Sequence, residues 1–85
     1  MNFCFLMGKI ISNIEFNFMI ESNHISIATF KIVLNNNSVL QVKAYDKIAD
    51  WCYINLVKND WVALEGKLNS KMEIILHDMN YIYKE

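Results

Sequence analysis

The chain has 85 residues, of which 54% are hydrophobic and 20% charged, with a formal net charge of −1. A chain this short makes one small domain, which buries only about 60% of its unfolded surface and gains from a partner or a second copy. No run approaches the ~20 apolar residues of a membrane span, so no membrane partner is expected, and the charge balance excludes a uniformly basic protein while leaving room for a locally basic face.

Residues 3–11 are apolar on both faces around Gly8. That is the pattern of a strand buried on both sides or lining a subunit interface. A mid-strand glycine predicts a bulge or bend. The opening Met1-Asn2-Phe3 lacks a basic region and a small-residue cleavage site, so no secretory leader is expected. Ser12-Asn13 reads as a turn. Residues 14–20 alternate with a period of two, placing Ile14, Phe16, Phe18 and Ile20 on one face; Phe16 and Phe18 fit a core, an interface or a base-stacking role, and burial is the favoured reading. Glu21-Ser22-Asn23-His24 is the next turn.

Over residues 25–34, Ala28, Phe30, Ile32 and Leu34 share one face, and Thr29, Lys31 and Val33 the other. Asn35-Asn36-Asn37 forms a tight turn, because Asn tolerates left-handed backbone angles. Residues 38–45 alternate again, with Leu40, Val42 and Ala44 on one side and Val39, Gln41, Lys43 and Tyr45 on the other. A helix is predicted over residues 46–58. Asp46 is its expected cap, and Asp50 suits the positive end of the dipole. Ile48, Ala49, Cys52 and Leu56 face inward, and Lys58 with Asn59 closes the helix. A fourth strand over residues 61–68 turns Val62, Leu64 and Leu68 inward, with Gly66 placed where another backbone passes closely. Asn69-Ser70-Lys71 is a short turn, and residues 72–84 are read as the last strand.

Five strands with one helix between the third and fourth predict an all-β OB-fold over residues 1–85. This five-stranded Greek-key barrel typically binds oligonucleotides or oligosaccharides. The two cysteines, Cys4 and Cys52, form no C-x-x-C motif and lie far in sequence from His24 and His77. They read as reduced thiols in a reducing compartment rather than metal ligands.

Four ordered segments carry a family likeness. They are Phe5-Leu6-Met7-Gly8-Lys9-Ile10 followed by Asn13-Ile14-Glu15; Ala28-Thr29-Phe30-Lys31-Ile32; Val42-Lys43-Ala44-Tyr45 running into Lys47-Ile48-Ala49-Asp50; and Val62-Ala63-Leu64-Glu65-Gly66-Lys67-Leu68. Together they resemble the bacterial-type single-stranded DNA-binding protein (SSB) family, as a minimal member similar in size to the dimeric primosomal replication protein B. The likeness implies an OB-fold that binds single-stranded DNA in replication, repair or recombination. Tyr45 falls on one of the family's stacking positions, whereas Val39 and Met72 stand where other rings are expected. The loops at residues 35–37 and 69–71 are shorter than in such proteins. With the sequence ending at Lys84-Glu85, recruitment of enzymes through the family's acidic tail is not expected.

The residues themselves point to the outward face of the second and third strands, because binding a single strand needs cations for phosphates and rings on which bases stack. The expected DNA-binding set is Thr29, Lys31, Gln41, Lys43 and Tyr45, extended by Lys9 and Lys67. A lysine-rich strand face is also what solubility alone produces. Trp51, Ile54 and Trp61, with Tyr53 and Val57 near them, form a second candidate surface, for another protein or a second copy; the alternative is that Trp51 partly covers the open end of the barrel. The alternative function is therefore a protein-interaction OB module with nucleic-acid binding reduced or lost. The partners expected are single-stranded DNA or RNA and a homodimer or homotetramer. No enzyme, cofactor, metal or small-molecule substrate is expected: His24 has no nucleophile beside it, His77 and Asp78 point to opposite strand faces, and no phosphate-binding glycine loop occurs. Eleven Asn, twelve Ile, no Arg and no Pro suggest an AT-rich genome, as in organelles or some low-GC bacteria; taken with the family likeness, the expected location is a plastid (chloroplast) stroma or a bacterial cytoplasm.

Overall fold

The computed structural model describes residues 3–20 and 25–85, so the turn expected at residues 21–24, with His24, lies outside the described residues. The elements are β1 (Phe3–Ile10), β2 (Glu15–Met19), β3 (Ile25–Leu34), β4 (Val39–Tyr45), α1 (Asp46–Asn55), β5 (Trp61–Leu68), β6 (Glu73–Leu76) and β7 (Ile82–Lys84). Five strands close a ring in the order β1-β3-β4-β6-β5, and the β1–β5 pairing from Phe3↔Lys67 to Lys9↔Trp61 completes it. All neighbours in the ring are antiparallel except β4 and β6, which run parallel. The helix lies between the third and fourth ring strands, as expected for an OB barrel. The extra strand β2 continues β1 along β3, and β7 lies along β5.

The period-two pattern fills the barrel. Ala28, Phe30 and Ile32 from β3 meet Val42 and Ala44 from β4, Leu64 from β5 and Ile74 from β6, all buried. Ala49, Cys52 and Leu56 bring the inward stripe of α1 onto this core. At roughly 1.5–3 kcal/mol for each large side chain buried, Phe30, Ile10, Ile32, Leu56, Leu64 and Ile74 are the principal favourable contributors. Both glycines permit close approach between strands. A Cβ at Gly66 would lie 2.8 Å from the Ile75 carbonyl oxygen, and one at Gly8 would lie 2.5 Å from that of Val33. No bulge occurs against β5 at Gly8, since β1 keeps an unbroken register there. Instead, the missing side chain lets β3 pair closely on the other edge.

Several expectations are corrected. Asp46 does not cap α1. Tyr45 holds the extended N-cap position without a side-chain cap bond, and Asp46 takes a φ of 55°. The helix start is tied instead by the buried Ser26 hydroxyl, which donates to Asp50 Oδ1 at 2.7 Å with the Asp46 carbonyl oxygen 3.0 Å away. The helix ends at Asn55 rather than at residue 58, because Leu56 turns into extended backbone as it enters the core. The cation at the helix C-terminus is Lys84, whose Nζ donates to the Asn55 carbonyl at 3.0 Å and pairs with Asp60 at 3.4 Å, not Lys58. Asn59 does adopt a left-handed backbone, φ 81°, but in the turn beyond the helix.

The last strand is two strands. Asp78 accepts from the Asn80 amide and starts a 3-10 turn over Met79–Tyr81. This break lets β6 reach β4 while β7 takes over the same edge of β5. β1 is buried on one face only; Phe3, Phe5 and Met7 are exposed on the other. Phe18 and Ile20 are likewise exposed, because β2 runs beyond the closed ring, where α1 covers Phe16 but not its neighbours.

Candidate nucleic-acid interface

The strand register gathers the outward residues into rows around the barrel. Thr29 faces Lys43, Lys31 faces Gln41, and Ile27 faces Tyr45 across β3 and β4. All lie opposite the buried Ala28, Phe30, Val42 and Ala44, so the inward packing forces them outward. Lys31 and Lys43 are diagonal neighbours, about 7–8 Å apart at Cα. On the far side of β4, Lys43 faces Ile75 of β6, and Ile75 faces Lys67 of β5. Lys43 and Lys67 are thus two strand spacings apart, about 10 Å. Lys9 lies in another row, between Trp61 and Val33, and Val33 faces Val39.

Two residues in this surface were not singled out from the sequence. Ile75 provides an apolar step between Lys43 and Lys67. Glu73 faces Gln41 and reaches diagonally to Lys43, with Oε2 3.1 Å from Nζ. The turn before β6 holds Glu73 in place. Asn69 Oδ1 accepts from the amides of Lys71 and Glu73, and Asn69 Nδ2 donates to Glu73 Oε1 at 2.9 Å. Met72 takes the left-handed position in that turn, as Asn37 does in the turn between β3 and β4. The hydrogen bond from Asn69, with that from Lys43 next, holds the Glu73 carboxyl below its ordinary range. The sequence signal for Glu73 is weak, because only the parallel pairing of β4 with β6 brings it beside Lys43.

The second candidate surface divides. Trp51 is half-buried and packs on the core, and Ile54 is exposed on α1. Trp61 stands instead on the outer face of β5, lining a cavity of about 260 Å³ with Met7, Ala63 and Tyr83, to which no helix residue contributes. On the helix side, Tyr53 stacks on Phe16 with ring centroids 4.6 Å apart, and Phe18 meets Phe16 edge-on at 5.4 Å. Cys52 is buried and Cys4 half-buried, both as free thiols. Burial pushes the Cys52 thiol up to about 12. Among the described residues no group of His, Cys, Asp or Glu is arranged to hold a metal ion.

No protein-family model matches the chain, and no curated protein sequence does. Solved structures do. The SSB domain of a protein from Synechococcus sp. superposes with a TM-score of 0.83 at 22% identity, covering 98% of this chain and 94% of that one. The chain has the OB-fold of SSB domains. The wild-type single-stranded DNA binding protein of Thermus aquaticus gives a TM-score of 0.83 at 18% identity, and a deletion variant of it gives 0.82. This chain spans only about two-fifths of those two, covering 40% and 41% of their lengths.

Proposed function

We propose that this protein binds single-stranded DNA without sequence preference, in replication, repair or recombination, through the outer surface of β3, β4 and the adjoining strands. The observation that carries the reading is the placement of Lys31, Lys43 and Tyr45 on one outward face, with Thr29 and Gln41 between them. The OB-fold shared with the Synechococcus SSB domain and the Thermus aquaticus single-stranded DNA binding protein supports it.

In this reading Lys31, Lys43, Lys67 and Lys9 take phosphates, Thr29 and Gln41 offer hydrogen bonds, and Tyr45 stacks on a base. Stacking is worth ~1–3 kcal/mol per base, and each phosphate neutralised releases counterions. With few rings and few cations, a single domain binds on the order of micromolar at low salt. RNA presents the same phosphates and base faces, so it competes for this surface. Assembly into a dimer or tetramer, for which the exposed Met7, Trp61 and Tyr83 offer an apolar contact, raises affinity through effective concentration.

The reading in which the chain serves mainly to bind protein draws on the same apolar surface and on the Lys43–Glu73 pair, which offsets one cation of the face. A polarisation titration with a labelled dT oligomer at two salt concentrations separates the two. Micromolar or tighter affinity that falls with salt supports DNA binding. No binding at low salt by folded protein leaves the protein-interaction reading.

A further inference from the structure

The row of outward residues does not stop at Lys67. Across the β1–β5 pairing Lys67 faces Phe3, so Thr29, Lys43, Ile75, Lys67 and Phe3 form one line over five adjacent strands, about 19 Å of arc. At its end, three rings touch. Phe3 and His77 have centroids 4.9 Å apart at 58°, and His77 and Tyr81 lie 5.9 Å apart at 27°, close to parallel. Phe3 is 50% and Tyr81 44% exposed, and His77 is exposed as well.

The local sequence builds this cluster. Asp78 accepts from the Asn80 amide, and its carbonyl accepts from the Tyr81 amide at 3.1 Å, so the 3-10 turn folds Tyr81 back over His77. Rings that only filled space would be covered; these keep large areas in water beside a lysine. Flat apolar faces next to a cation are what an unpaired nucleotide requires, a base on the ring and its phosphate on the ammonium.

We infer that Phe3, His77 and Tyr81 form a second nucleobase-stacking site, with Lys67 holding the phosphate between it and the lysine–tyrosine face. The inference rests on the single-strand binding proposed above and extends its path beyond Tyr45. It also identifies ring surface where Val39 and Met72 provide none.

The test compares the wild-type protein with His77→Ala/Tyr81→Ala and with the milder Tyr81→Leu, which keeps apolar bulk and removes the ring. Each is titrated with a dT oligomer and with the same oligomer carrying abasic positions. The double variant should bind dT on the order of tenfold more weakly, and Tyr81→Leu less so. Both should lose less affinity than the wild type when bases are removed. Variants that melt like the wild type, yet keep its affinity and its full abasic penalty, overturn the inference while leaving the general reading intact. A wild type that fails to bind dT at low salt overturns the general reading instead, and this site with it.

Discussion

Replacing Glu73 by glutamine should strengthen DNA binding. In the wild type the Glu73 carboxylate sits 3.1 Å from Lys43 Nζ and occupies the place a phosphate oxygen would take. The glutamine side chain is nearly the same size and keeps an oxygen for the Asn69 amide, so the turn built on Asn69 is retained. Lys43 is then free for one more phosphate. On single strands each phosphate contact steepens the fall of log affinity with log salt by about 0.7. If counterion release is the whole gain, affinity rises about eightfold at 50 mM salt and about threefold at 200 mM. The assay is a polarisation titration of wild type and E73Q at both salts. An unchanged salt slope would refute the reasoning, because Lys43 would then contact no phosphate even when released. Acid should imitate the substitution. The Glu73 carboxyl is depressed in the folded state, so its pairing with Lys43 is complete above the ordinary carboxylate range and is lost as pH falls through the lowered folded value. The difference between wild type and E73Q should close over that acidic window.

Other outcomes follow from packing and burial. Gly66→Ala places a Cβ 2.8 Å from the Ile75 carbonyl oxygen and 2.6 Å from Ile74 Cγ2. It should cost about 1–3 kcal/mol, several degrees in the Tm of a domain this size; an unchanged melt would mean that β5 and β6 separate at no cost. Cys52, with its thiol pushed up to about 12 by burial, should resist a thiol reagent at pH 8 until the protein unfolds, while Cys4 reacts first. Equal reaction of both thiols in folded protein contradicts the packing of α1 on the barrel. If the proposed assembly forms through Met7, Trp61 and Tyr83, Trp61→Lys should shift sedimentation toward the monomer, and assembly unchanged from that of the wild type would place the contact elsewhere.

The barrel was legible because its signal is local. Alternation in residues 25–34 and 38–45 sorts Ala28, Phe30, Val42 and Ala44 inward, and by the same step sorts Lys31, Lys43 and Tyr45 outward. The helix stripe of Ala49, Cys52 and Leu56 and the close approach at Gly66 were visible for the same reason. Relations between distant segments were not visible. Only the parallel pairing of β4 with β6 brings Glu73 beside Lys43. Only the return of β7 along β5 brings Lys84 to the end of α1. Alternation placed Phe18 with Phe16 but could not show that β2 runs past the closed ring, where half of that face meets water. The Phe3, His77 and Tyr81 cluster joins the two ends of the described chain, so neither stretch reveals it alone.

In the proposed function, one side of the barrel, the outer face of β3 and β4, grips an unpaired strand. The most direct test of that grip is the change in backbone amide resonances of the labelled protein as a dT oligomer is added. Shifts concentrated at Thr29, Lys31, Gln41, Lys43 and Tyr45 are the expected result. Shifts confined to α1 or to the Trp61 and Tyr83 surface, with the β3–β4 face silent, would contradict it.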